Sequence, residues 1–287
     1  MEKRGAWLDH AGGSFMQKTI LALSFFLFLT RALLAEEPSE NRTGIQIIPV
    51  QSTPQPINAS IRIALPEDGQ LLSKKPVVVT LRVRGFALGQ DSNFPRENEL
   101  PVSKMGQTVH VFVDDRPYFA YNGPAMDPFE VEGDFYQANY QFDVNSTLKE
   151  GMHTVRILPC RSYGESLKSV NCFDAIQFFL KDKKMDWAMS LRRPFLTFNE
   201  PSGNFPYRAG EPILLDFYVS NCELSSDGYK IKLTVDGRAE RYLSEWIPYY
   251  ILGLKPGKHQ LRLELVDGEK QLVPGAFNDV ERTFSVK

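Results

Sequence analysis

Leu148-Lys149-Glu150-Gly151-Met152-His153 comes back near the far end of the chain as Leu254-Lys255-Pro256-Gly257-Lys258-His259. Each copy runs into an alternating segment, Thr154-Val155-Arg156-Ile157 after the first and Gln260-Leu261-Arg262-Leu263 after the second. Outward from this pair, the neighbours repeat in the same order. Val77, Val79, Leu81 and Val83 alternate on one face, as Ile213, Leu215, Phe217 and Val219 do. Val109, Val111 and Val113 answer to Ile231, Leu233 and Val235. Asp114-Asp115 answers to the hairpin signal Asp236-Gly237, and Phe178 and Leu180 to Phe284 and Val286. An ordered series with one inward parity is the mark of a duplicated unit. No segment longer than a turn has helical periodicity. The expected fold class is therefore all-β, with two sandwiches in tandem.

The chain has 287 residues, 43% of them hydrophobic and 24% charged, a balance that fits one or two ordinary cores. Near the N-terminus, Lys18 precedes an apolar run from Thr19 to Leu29, followed by Ala32-Leu33-Leu34-Ala35 and then Glu36-Glu37. A positive start, a short apolar core and a small residue at the end predict a signal peptide over residues 1–35, with Met16 as a possible true start. The alternative is an uncleaved anchor, the only membrane contact expected. Residues 1–35 hold four of the 33 basic and two of the 35 acidic residues, so the remainder carries a net charge of about −4. It has no basic run, and a nucleic-acid partner is not expected.

Residues 36–56, polar with scattered prolines, read as a flexible leader. The first sandwich is expected over 57–182 with insertions, a charged linker over 183–194 and the second sandwich over 195–287. Trp187, in the linker, is expected to pack between the domains. Short strands, frequent turns and about a hundred residues per unit suggest immunoglobulin-like sandwiches. Leu-x-x-Gly-x-His before an alternating strand resembles the corner of bacterial immunoglobulin-like and fibronectin-III-like modules. With Pro159-x-Arg161-Ser162-x-x-Glu165-Ser166-x-Lys168 and Pro212-Ile213-Leu214-Leu215-Asp216-Phe217-Tyr218, it also resembles a family of uncharacterised exported bacterial proteins with such tandem domains. This resemblance covers most of residues 60–287. It implies the two-sandwich fold and an envelope location, and no activity. Cys160 and Cys172 depart from its pattern.

His153 and His259 hold equivalent places, as structural corners would, and no His pair has metal spacing. Gly164-Glu165-Ser166-Leu167-Lys168 lacks the second glycine of a nucleophile elbow. Asp127, Glu130, Glu132 and Asp134 match no calcium loop and read as a solvated acidic loop. Asn41, Asn58 and Asn145 fit the short glycosylation pattern. Cys160 and Cys172 flank one loop between strands and are expected to form a disulfide, closing a loop for roughly 3 kcal/mol on the chain-entropy model. Cys222 is then left as a partly buried thiol. Inside that loop, Arg161, Tyr163, Glu165 and Lys168 form a possible binding surface, since rigidly mounted loops favour recognition. The competing reading is a local Arg161–Glu165 ion pair without a ligand.

The expected function is that of a non-catalytic exported protein, serving surface binding, adhesion or envelope architecture, without cofactor or metal. The expected partner is an envelope or surface protein, or a glycan. A carbohydrate-binding accessory module, with Trp246, Tyr249 and Tyr250 stacking on a sugar, is the second reading. An enzyme of unknown class is the third.

Overall fold

The computed structural model describes residues 44–131, 135–144 and 148–287. The expected signal segment, the leader up to residue 43, Glu132, Asp134 and the Asn41 and Asn145 sequons lie outside the described residues. The first strand, β1 (Gln46–Pro49), belongs to the second sandwich and is placed below.

The first sandwich is built from β2 (Ser60–Leu65), β3 (Gln70–Leu72), β4 (Val77–Arg84), β5 (Thr108–Val113), β6 (Phe119–Tyr121), β7 (Asp127–Val131), β8 (Phe135–Val144), β9 (Gly151–Cys160) and β10 (Asp174–Leu180). One sheet runs β2-β4-β8-β7 and the other β3-β10-β9-β5-β6. Asp127 and Glu130 thus fall in a strand, not in the acidic loop expected of them. The second sandwich uses β11 (Phe195–Glu200), β12 (Ile213–Ser220), β13 (Lys230–Val235), β14 (Ala239–Leu243), β15 (Tyr249–Leu252), β16 (Gly257–Val266) and β17 (Asp279–Val286). Its sheets run β11-β12-β15-β1 and β14-β13-β16-β17. The inward parities read from the sequence fill the two cores. Val77, Val79, Leu81 and Val83 pack with Val109, Val111, Val155, Ile157 and Phe178 in the first. Ile213, Leu215, Phe217 and Val219 pack with Ile231, Leu233, Leu261, Leu263 and Phe284 in the second. The molecule is all-β, with two short 3-10 turns at Pro95–Asn98 and Trp187–Met189.

The two sheet orders expose a substitution. Position by position, β11, β12 and β15 take the places of β2, β4 and β8. The place of β7 is taken by β1, from the other end of the chain. Only Ser244–Pro248 separates β14 from β15, too short a stretch to supply this edge strand itself. β1 pairs antiparallel with β15, Gln46 opposite Leu252 and Pro49 opposite Tyr249. Ile45 is buried in the second core and Ile47 packs against it. Gly253, at φ +85°, lets the chain pass Gly44, whose carbonyl oxygen a Cβ would strike. Residues 46–49 are therefore a structural strand, and the expectation of a flexible leader fails there. Alternating isoleucines and an unpaired β15 edge supply the reason.

The sandwiches meet face to face. β5, β11 and β12 are buried on almost every residue, as is β9 after Gly151. Their outward faces therefore touch protein, not water. Trp187 takes no part in this contact. It is 75% exposed, against the expectation that it packs between the domains.

Candidate functional site

The two corners are alike bond for bond. Asp114, at φ 56°, accepts from the His153 ring on Oδ2 at 2.8 Å and from the Thr154 N–H on Oδ1 at 2.9 Å. Asp236, at φ 50°, does the same for the His259 ring at 2.8 Å and the Gln260 N–H at 2.9 Å. The other ring nitrogen meets the Lys149 carbonyl at 2.7 Å in one copy and the Lys255 carbonyl at 2.7 Å in the other. Burial lowers both imidazole pKa values, but the aspartate and carbonyl partners outweigh it and leave each raised. These histidines lock a turn to a strand start.

Cys160 and Cys172 are both free. Cys160 follows Arg156 and Leu158 on the outward face of β9 and packs with Phe112, Tyr118 and Tyr218. Cys172 points the other way, into the core of the first sandwich. A bond needs Cβ atoms that face each other, and these two side chains lie on opposite sides of a sheet, so the expected disulfide is not formed. Cys222 is also a free thiol.

The loop between β9 and β10, the possible binding surface, is turned inward in the structure. Arg161, Tyr163 and Glu165 are buried. They grip the crossing segment that follows β1. Glu165 accepts from the Thr53 N–H at 2.8 Å and the Thr53 hydroxyl at 2.7 Å, and Tyr163 meets that hydroxyl at 2.7 Å. Arg161 donates to the Pro54 carbonyl at 2.7 Å and to Gln107 at 3.0 Å. The local Arg161–Glu165 ion pair does not form either, because Glu165 pairs with Arg96, which also donates to the Gln51 carbonyl at 2.6 Å. Arg96 sits on the 3-10 turn of the long loop after β4. The two loops do share one end of the sandwich, as the fold implies: Ser103 N–H donates to the Ser162 carbonyl at 2.8 Å. Lys168 reaches across to the second sandwich, pairing with buried Asp216 at 2.6 Å and donating to the Phe217 carbonyl at 2.7 Å.

Between the sheets lies a polar network that the sequence did not single out. The His110 ring, wholly buried, meets Asn199 Oδ1 at 2.6 Å and stacks on Tyr118 with centroids 3.6 Å apart. Asn199 donates onward to Asp216 at 2.7 Å and to the Gly164 carbonyl at 2.8 Å. Tyr118 donates to Glu200, which also accepts from Tyr207 at 2.8 Å and the Ser202 N–H at 2.7 Å. Burial pushes the Glu200 carboxyl up to about 7 and the His110 imidazole down to about 3. Arg156 is buried among neutral acceptors, the Leu196 carbonyl, the Thr197 hydroxyl and the Asp114 carbonyl, and lies 3.9 Å above the Phe277 ring. Burial lowers its pKa to about 9. The one sequence sign of this seam was chemical: His110, Arg156, Asn199 and Asp216 stand on outward parities in otherwise apolar strands.

An open cleft of about 930 Å³ borders the seam, lined by Phe173, Phe195, Tyr218 and Trp246 with Asp174 and Glu223. Phe173 stacks on Tyr218 with centroids 4.4 Å apart, and Trp246 stands edge-on to Tyr218 at 4.5 Å. Of the three aromatics expected to meet a sugar, Trp246 lines this cleft. Tyr249 is buried in the second core, and Tyr250 donates to Glu99 at 2.7 Å.

Two fused sandwiches with paired corners define a tandem immunoglobulin-like β-protein. No protein-family model matches the chain, and no curated protein matches it. Among solved structures it is similar to the fibronectin(III)-like modules of Clostridium thermocellum CbhA, at 14% identity over 79% of this chain and 94% of that one, with a TM-score of 0.27. It is similar to titin A168–A169 at 8% identity over 79% of this chain and 99% of that one, TM-score 0.20. A Bacteroides ovatus glucan-utilisation protein, SGBP-B in complex with a mixed-linkage heptasaccharide, aligns at 11% identity over 80% of this chain and 71% of that one, TM-score 0.19. The fold itself is read from the sheet order and the corners above.

Proposed function

We propose that this chain is a non-catalytic exported protein whose two sandwiches act as one stiff body, for surface binding, adhesion or envelope architecture. The observation that carries the reading is the seam. A crossing strand, a buried ion pair and a hydrogen-bonded network hold two domains that would otherwise hinge on a linker. A stiff mount lowers the ordering cost of binding at its surfaces, whereas side chains spent on the seam face no substrate. Export is supported by the positively charged start and apolar run of residues 1–35. Expressed in a bacterial host with a C-terminal tag, the full chain is expected outside the cytoplasm. The purified protein is expected to bind isolated envelopes of its source organism saturably. Cytoplasmic retention, or no saturable envelope binding, would overturn the reading. A second reading, glycan binding, is favoured by the aromatic cleft. It predicts oligosaccharide binding that Trp246→Ala removes while unfolding stays cooperative.

A further inference from the structure

Seven successive residues between the sandwiches, Lys181 to Trp187, are exposed. A tryptophan 75% in water beside Met185, 45% exposed, is costly unless something covers it. The segment is not slack. Its far side is tied down by Gln177, which donates to the Met189 carbonyl at 2.8 Å, and by Asn221, which donates to the Leu191 and Arg193 carbonyls at 2.8 and 2.9 Å. The 3-10 turn is closed by Met189 N–H to the Asp186 carbonyl at 3.2 Å. Lys184, Met185 and Trp187 border one shallow depression of about 550 Å³ with Met152.

The charge is equally uneven. Lys181, Lys183, Lys184, Arg192 and Arg193 stand against Asp182 and Asp186, in a chain whose net charge is −2. Lys181 is paired with Glu150 at 2.9 Å. Among the described residues no ion pair engages Lys183, Lys184, Arg192 or Arg193. Exposed cations that flank a tryptophan and a methionine have one surface that suits both at once, an anionic bilayer. Indole sits at the headgroup level and long cationic side chains meet lipid phosphates.

We propose that the segment Lys181–Arg193 is a membrane-surface contact, in which Met185 and Trp187 enter the headgroup boundary of an anionic bilayer while Lys183, Lys184, Arg192 and Arg193 meet the phosphates. The proposal concerns peripheral contact through this segment, separate from any anchor at the N-terminus, and it does not depend on the binding role above.

The test uses the chain from Glu36 onward, which keeps every residue of both sandwiches and omits the apolar run that would itself enter lipid. It is mixed with vesicles of equimolar phosphatidylglycerol and phosphatidylcholine, or of phosphatidylcholine alone. Sedimentation with the anionic vesicles, its loss at high salt, and a blue shift of tryptophan emission that Trp187→Ala abolishes are the expected results. Trp187→Ala and the pair Lys183→Glu, Lys184→Glu are each expected to lower the bound fraction by about fivefold or more. All these side chains are exposed, so the variants should match the parent in thermal unfolding. No sedimentation of the parent chain, binding that the variants leave unchanged, or an emission shift that survives Trp187→Ala would each overturn the proposal.

Discussion

Glu200 and His110 lie in one network with opposite linkage. Glu200 is raised by burial to about 7. It therefore holds its proton in the folded state at pH values where the unfolded chain has lost it. Its contribution is full below the ordinary carboxylate range and is lost as pH rises through about 7. His110 is lowered to about 3, so its contribution is full above the ordinary imidazole range and is lost as pH falls toward 3. Between the two ordinary values the slopes cancel, and the Glu200 slope acts alone only from the ordinary imidazole value to about 7, above which neither group adds a slope. A Tm that rises with pH from about 3 to the ordinary carboxylate range and is level through mildly acidic pH is expected. Glu200→Gln is expected to turn that level stretch into a continued rise, driven by His110 alone, and thermal unfolding across pH checks it. At the corners, His153→Ala and His259→Ala are each expected to cost about 1–2 kcal/mol and to add, since the sites share no partner; urea unfolding of the singles and the double decides it. The thiols give a further test. Burial raises Cys172 and Cys222 to about 11 and pushes Cys160 well above the usual thiol range. Maleimide is expected to label buried Cys160 and Cys172 only after unfolding and the half-buried Cys222, which lines the open cleft, before them, and an oxidant is expected to leave Tm unchanged. The parity of Cys160 with Arg156 and Leu158 was readable in the sequence, and it argued against the bridge that loop position suggested.

At the scale of elements, β1 and the residue before it complete the second sandwich with two isoleucine side chains, Ile45 buried and Ile47 in part. Ile45→Ala is expected to cost roughly 2 kcal/mol and to lower hydrogen-exchange protection across β15 more than across β8, its counterpart in the first sandwich. Removing the chain before Val50 is expected to expose the β15 edge and promote association, seen by light scattering. Strands β4, β5, β12 and β13 were legible because each carries three or four apolar residues at period two. The stretch at β1 offers only Ile45 and Ile47 at period two, beside exposed Ile48 and among polar residues and prolines, and nothing local in so short a run says which sheet it joins. The seam was hidden for a different reason. Alternation marks the inward face of β5, β9 and β12, and the remaining residues, Asp216 and His110 among them, read as solvent-facing. Only the tertiary fold shows a second protein surface there. The loop from Arg161 to Lys168 was legible as a loop, yet its partners were not, since Thr53 lies 112 residues from Glu165 and Asp216 lies 50 from Ser166.

At the scale of the molecule, the two sandwiches are expected to unfold in one transition, because the crossing segment and the seam each tie residues of both. Lys168→Met leaves buried Asp216 without its cation, at a cost of roughly 3–5 kcal/mol. It is expected to split the single calorimetric transition into two. The crossing strand also sets an order in time. Gln46 pairs with Leu252, so a strand made early in synthesis has its partner near the other end of the chain. The first sandwich can close as soon as β10 arrives. The second cannot, and until β15 arrives Ile45 and Ile47 have no core to enter. Folding then ends on a pairing of very high sequence separation, the slow kind. The nascent chain carries an unfilled strand throughout that wait, which makes this isoleucine segment the place where a holding chaperone has most to do.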